Sequence, residues 1–254
     1  MSTIHWCHAL TPGPDVHEQP FADEHYRDAI VIPKTKALPV EARKAPLPDR
    51  KVYRSMSRSG ILLSLACLKG RKAIQPFLDD SPFSVGIYCA IENGPVDLPS
   101  AYAMVDVPRE DFADCYRKYR NPKMFLTQVT NLAPAQMGIF LGIMGPMNVY
   151  NSSVYGSVHA IDQACQDLDE GRVAAALVCS AFSFEDPLVL ERVRRWELGD
   201  RVLCEGAGAM ILTSGKQGSA LPCYDSDDGE HYYGIAHQII CQIKQIEREN
   251  SYAV

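Results

Sequence analysis

The strongest constraint on this chain comes from two short runs that are almost wholly apolar, residues 173–179 (VAAALVC) and 207–213 (AGAMILT). A strand with one wet face alternates apolar and polar residues, whereas a run without alternation is a strand covered on both faces. A third run, residues 83–91, has the same character and is bounded by Pro82 and Asn93-Gly94. Segments of helical periodicity separate these runs. Residues 154–170 place Val158, Ile161, Cys165 and Leu168 on one face, with Gly171 as a natural terminator. Residues 50–68 do the same with Tyr53, Met56, Ile61, Leu65 and Leu68 before Gly70. Shorter helices are expected at 111–120, 136–144 and 188–196. Helices alternating with doubly covered strands predict an α/β layered fold, a mixed or parallel sheet covered by helices.

The rest of the chain is less regular. Residues 3–8 read as a first strand ending at the Thr11-Pro12-Gly13 turn, and residues 148–151 as a short strand. Residues 15–49 are rich in proline and charge and read as a loop-like excursion, with one strand candidate at 29–32. At the other end an acidic loop, 225–230, leads into a helix at 231–247 with Tyr232, Ile235, Ile239, Ile243 and Ile246 on one face. The expected organisation is a main unit, 1–215, on which the loop and amphipathic helix of 216–254 pack. The acidic run lacks EF-hand spacing, because Gly229 is fifth and Ala236 twelfth, so it reads as a solvated loop.

Formal net charge is −6 with both signs interspersed, which argues against a nucleic-acid partner. No apolar run approaches the roughly 18–20 residues that cross a bilayer. The first ten residues do not read as a signal peptide. Nine cysteines are scattered without a CxxC pair, several in apolar surroundings (Cys67, Cys89, Cys165, Cys179). They read as reduced, mostly buried thiols of a cytoplasmic protein. No metal or cofactor motif appears.

Four stretches in order resemble the β-ketoacyl synthases of the thiolase superfamily. They are WCHALTPG at 6–13, NPKMFLTQVTNLAPAQMGIFLGIMGP at 121–146, the adjoining segment from Gly145-Pro146 through His159-Ala160-Ile161, and DRVLCEGAGAMIL at 200–212. The resemblance is strong from Asn121 onward and weak before it. It implies a thiolase-like layered fold, N-terminal half only. The family's nucleophilic cysteine sits eight residues after the proline at a helix N-terminus, which lowers its pKa. Counting from Pro146 lands on Val154, which has no nucleophilic atom. The resemblance further implies two histidines (or His and Asn) and a Gly-Phe-Gly-Gly loop in a second half, and no such stretch follows Glu205-Gly206-Ala207-Gly208.

The implied role is a non-catalytic, chain-length-factor-like subunit, heterodimeric with a full-length ketosynthase and acting on chains held by an acyl carrier protein. The small chain-length-factor-like subunits of aryl polyene clusters are the nearest parallel. Met124, Phe125, Thr127 and Asn131 would then reach the partner's tunnel, while Asn148, Val149, Tyr150 and Asn151 would pair across the interface. Met137, Met144 and Met147 serve a tunnel or a core equally well. Arg192, Arg194 and Arg195 are candidate carrier-docking cations, although a solvated helix face explains them too. His159 reads as structural. The alternative is an active acyltransferase or thioester hydrolase using Ser152 or Ser153, neither of which sits in a G-x-S-x-G elbow.

Overall fold

The structure is a computed structural model that describes residues 2–23, 30–41, 44–49, 51–196, 198–215, 219–220 and 229–252. In chain order, β1 (Ser2–Leu10), β2 (Gln19–Asp23) and β3 (Ile30–Lys36) precede a helical pair, α1 (Arg58–Lys69) and α2 (Arg71–Asp80). Then come β4 (Val85–Ile91), α3 (Leu98–Ala103), α4 (Phe112–Tyr119), α5 (Pro122–Gln128), α6 (Leu132–Leu141) and β5 (Met147–Tyr150). Next are α7 (Gly156–Asp169), β6 (Ala175–Phe182), α8 (Pro187–Trp196), β7 (Val202–Cys204) and β8 (Gly206–Ser214). β9 (Ser219–Ala220), β10 (His231–Tyr232) and α9 (His237–Tyr252) complete the described chain.

The main sheet has the order β5-β4-β6-β8-β1-β9. β4 runs parallel to both β5 and β6, and β8 runs antiparallel to β6 and β1, so the sheet is mixed. Alternate residues of each central strand enter two different cores. Ile87, Cys89, Leu177, Cys179, Ala209 and Ile211 pack with α1, α2 and α6 on one face. Tyr88, Ala90, Val178, Phe182, Met210 and Leu212 pack with α7 and α9 on the other. Two covered faces leave no position for a polar residue, which is why these strands lack alternation. Cys67, Cys89 and Cys179 are free, fully buried thiols.

The Pro-rich excursion is not the loop that its composition suggests. β2 and β3 form a hairpin within a second sheet, β10-β7-β3-β2. Its prolines sit where the ladder asks least of them. The register shifts between Gln19 and Phe21, so Pro20 and Pro33 fall at the irregularity, and β2 is an edge strand. Ala29, the first residue of the expected strand, lies outside the described residues, as do 225–228 of the acidic loop.

Helix boundaries differ for local reasons. α1 begins at Arg58 rather than at residue 50 because Ser57 caps it, Oγ accepting from Gly60 N at 3.1 Å. α6 begins at Leu132 and ends before Gly142, whose φ of +84° closes it early. The last periodic segment divides in three. His231–Tyr232 pairs with β7, residues Gly234–Ala236 form a 3₁₀ turn, and the helix starts only at His237. Gly234 makes the break: its φ is +51°, and a Cβ there would lie 2.2 Å from the Phe182 ring. Ile235, Ile239, Ile243 and Ile246 still share one buried face. That face lies directly on β8, where Cβ atoms at Gly206 and Gly208 would come within 2.8 Å of Ile240 and 2.7 Å of Ile239. α3 and α5 are too short for a period to show, whereas α2 places Ile74, Phe77 and Leu78 at helical spacing and was missed.

One ion pair ties these parts together. Glu205, between β7 and β8, is 1% exposed. Arg58 binds it with Nε to Oε1 at 2.7 Å and Nη2 to Oε2 at 2.7 Å. The same guanidinium donates to the Val40 and Leu38 carbonyls, and Leu38 N donates to Glu205 Oε2 at 2.9 Å. Phe184 N adds a fourth donor to Glu205 at 3.2 Å. Replacing Glu205 with Leu is expected to destabilise the fold by about 3–5 kcal/mol, because it strands a buried guanidinium. Adding Arg58→Met should recover much of that loss. Urea unfolding of the two singles and the double variant reads both effects; simple additivity would refute the coupling.

Candidate functional site

A crevice of ≈310 Å³ opens at the carboxyl ends of the parallel strands. From β4 the chain reaches β5 through α6 on one face, and from β5 it reaches β6 through α7 on the other. β4 therefore marks the point where connections change sides, the usual position of a ligand crevice in an open α/β sheet. Glu92, Asn93 and Gly94 enter from the end of β4, Asn151 from β5, and Gln128 from α5. Asp186, Leu188, Val189 and Arg192 enter from the start of α8. Gly94 admits α5 to this lip, since a Cβ would sit 1.8 Å from the Thr127 carbonyl oxygen.

The crevice floor is acidic. Arg192 Nη2 lies 2.8 Å from Glu92 Oε1, but off the hydrogen-bond axis. The Ser153 hydroxyl lies near enough to Glu92 to favour its charged form. Burial raises the pKa of Glu92, with Arg192 and Ser153 opposing. Burial also raises Asp186, against the Leu188 and Val189 amides that it caps at the head of α8. Glu185 is pushed furthest, to about 7, by burial first. Its carboxylate accepts from the Arg58 amide, while Glu205 and Asp186 repel it. Glu185 Oε1 is buried without a partner. Glu92, Glu185 and Asp186 share a small void of ≈10 Å³, room for about one water. Among the described residues, no group of three or more His, Cys, Asp or Glu side chains forms a metal site.

The head of α7 differs from the sequence expectation. The helix starts at Gly156, so Val154 lies in the preceding turn, and its side chain is 58% exposed. The Gly156 amide donates to the Ser152 carbonyl, and the Ser152 hydroxyl accepts from Tyr155 N at 3.3 Å. Neither serine bonds an imidazole. His159 lies between the Tyr150 and Tyr155 rings, 6.0 Å from each. The turn thus presents no serine–histidine pair among the described residues. Ser157, just inside the helix, donates to the Ile235 carbonyl and fastens α7 to the 3₁₀ turn before α9.

Other expected residues fall into separate places. Asn148, Val149 and Tyr150 are half-buried in β5, the terminal strand of the main sheet. Asn151 lines the crevice. Met124 and Phe125 face a neighbouring groove, Thr127 Oγ1 bonds the Met124 carbonyl at 2.8 Å, and Asn131 is exposed at the start of α6 without capping it. Met137 is a core residue, whereas Met144 and Met147 are exposed. The three arginines hold partners of their own. Arg192 pairs with Glu92, and Arg194 and Arg195 share Glu191, whose pKa they pull to about 2. Arg194 and Arg195 share one carboxylate between two guanidiniums, so this face of the helix keeps a local positive charge. The acids Glu92, Glu185 and Asp186 escaped the sequence reading. Their signal was position: Glu92 follows directly on the carboxyl end of β4, and Glu185 and Asp186 lie in the short loop after β6.

Residues 66–217 match the family described as Beta-ketoacyl synthase, N-terminal domain. The chain belongs to this family. Solved structures agree on the thiolase-like ketosynthase fold at low identity. A type II polyketide ketosynthase complex with its acyl carrier protein, AntDE:AntF, superposes with a TM-score of 0.61 at 15% identity, over 84% of this chain and 62% of that one. The ketosynthase ApeO in complex with its chain length factor ApeC, from Xenorhabdus doucetiae, gives 0.57 at 12%, over 85% and 58%. The ishigamide ketosynthase/chain length factor gives 0.53 at 17%, over 75% and 52%. The chain thus spans about six-tenths or less of the length of each of these matched chains. No curated protein matches it.

The Glu185 carboxyl gives a pH signature. Its folded pKa, about 7, lies above the ordinary 4.5, so the native state holds this proton more tightly. Its contribution to stability is fully present below pH 4.5 and is lost as pH rises to about 7, on the order of 3 kcal/mol. Glu185→Gln should flatten that interval of the stability–pH curve; parallel curves for both proteins would refute it.

Proposed function

We propose that this chain is a non-catalytic, chain-length-factor-like partner of an active ketosynthase. The observation that carries the reading is Val154. Counting from Pro146 places the family's nucleophile at this residue, an exposed aliphatic side chain, and neither neighbouring serine bonds an imidazole. Transfer of an acyl group from a carrier needs an atom that can attack a thioester carbonyl, and the Val154 side chain has none.

Three further features support a partner role. β5 pairs with β4 on one side only, leaving a strand edge for a neighbouring chain. Around it stand Ile139, Met144, Met147, Val154 and Tyr155, exposed by between 40% and 71%. Apolar side chains gathered in this way mark an interaction face. The ApeO–ApeC and ishigamide assemblies, by their descriptions, pair a ketosynthase with a chain length factor. In this reading the heterodimer works in the cytoplasm on a polyketide or polyene chain, of the aryl polyene kind, held by an acyl carrier protein. Met124 and Thr127 then help to set how far the chain extends.

Co-expression with the cognate ketosynthase should give a 1:1 complex, and Val149→Pro with Ile139→Asp should abolish it while the isolated chain stays folded by circular dichroism. An intact complex carrying both substitutions, or a covalent acyl adduct on the chain alone, would sink the proposal. In the reconstituted complex, Met124→Trp is expected to shorten the product, as read by mass spectrometry. The Ser153–Glu92 contact favours one rival, an acyltransferase or thioester hydrolase. Fluorophosphonate labelling that disappears in Ser153→Ala would establish it.

A further inference from the structure

Val96 and Gln128 line not only the crevice but also a second hollow of ≈370 Å³ between α3, α4 and α5. That volume falls in the range of small-molecule sites, about 300–1,000 Å³. Its walls are apolar: Val96, Met104, Phe112, Tyr116, Met124 and Phe125. Phe112 and Tyr116, one turn apart on α4, stack with centroids 6.3 Å apart and planes 8° from parallel, making one flat wall. Phe112, Tyr116 and Phe125 are 49%, 47% and 68% exposed, much for rings that could have packed inward.

Two charged residues line the hollow, and only one of them is committed. The Asp97 carboxylate accepts from Ser100 N, Ser100 Oγ and Asn121 N, which occupies it as a cap and a loop anchor. Arg120, exposed at the carboxyl end of α4, has no ion-pair or hydrogen-bond partner for its guanidinium among the described residues. Its basic neighbours are otherwise engaged: Arg117 bonds Asp114 at 3.0 Å, and Lys118 sits over the Tyr119 ring. Segment 97–128 carries as many acids as bases, so a ligand meets no bulk field there, and among the described residues that line the hollow Arg120 is the available fork. A guanidinium presents parallel donors that suit a carboxylate or phosphate.

We propose that this groove binds a free amphipathic anion, an acyl or aryl chain lying on the Phe112–Tyr116 wall with a carboxylate or phosphate end on Arg120. The site shares Met124 with the tunnel role above but selects a different ligand. A carrier-bound chain enters as a thioester and has no charge at that end, whereas this groove selects for one. It also needs no second subunit.

Calorimetry on the purified 254-residue chain tests this with dodecanoate, dodecyl phosphate and dodecanol, each below its micelle concentration. At least one anion should bind, and dodecanol should bind about tenfold more weakly or less. The preferred anion identifies the head group. Arg120→Gln should weaken the anion about tenfold and leave dodecanol unchanged, Arg120→Lys should restore part of the loss, and Met104→Trp should block every probe by filling the groove. Absent binding, equal affinity for dodecanol, or an anion indifferent to Arg120→Gln would each overturn the proposal. Because the readout uses the chain alone, it stands or falls independently of complex formation with a ketosynthase.

Discussion

The pair between Arg58 and Glu205 is the interaction on which most of this architecture converges. Glu205 stands at the junction of the two sheets, and Arg58 is the first residue of the helix that covers one face of the larger sheet. A buried carboxylate is tolerable only with several donors around it. Glu205 receives them from α1, from the stretch after β3, and from the segment after β6. The irregular early chain, the main sheet and the loop that enters α8 thus meet at one desolvated charge. The same loop carries Glu185, which takes the Arg58 amide, so the floor of the crevice hangs from the same arginine.

That coupling gives the crevice its electrostatic character. Glu92, Glu185, Asp186 and Glu205 lie within reach of one another, with only Arg58 and Arg192 among them. Desolvation raises the affinity of the first three for protons, neighbouring carboxylates add to it at Glu92 and Glu185, and Glu185 bears most of the effect. The chain keeps the family's scaffold around this floor. The proposed partner role asks of the floor hydrogen bonding and charge rather than a covalent bond.

The sheet was readable from the sequence because its signal is local. Runs 173–179 and 207–213 lack alternation, since helices cover both faces of β6 and β8, and Gly171 ends α7 at φ +70° as its position suggests. The hairpin of β2 and β3 was readable only in part: the strand expected at 29–32 falls on the start of β3, whereas β2 was missed. Its prolines argue for loop until the register shift at Gln19/Phe21 is known, and a shift is a property of the pairing rather than of either strand. The same holds for the residues after Gly229. Tyr232 and Ile235 fit a helical stripe, yet β7 captures His231–Tyr232 and Gly234 turns under the Phe182 ring. Short α3 and α5 have too few residues for a period to show.

By itself the sequence determined the layered α/β class, the family, and the aliphatic residue at the expected nucleophile position, because each is written in residue type or in spacing along the chain. Tertiary structure decided which acids share a cavity, that Arg192, Arg194 and Arg195 are held by Glu92 and Glu191, and that Arg120 faces an apolar hollow without a partner. The physical reason is range. Apolar periodicity is enforced by neighbours three or four residues away, whereas proton affinity and ion pairing depend on groups that the sheet brings together from segments far apart in the chain.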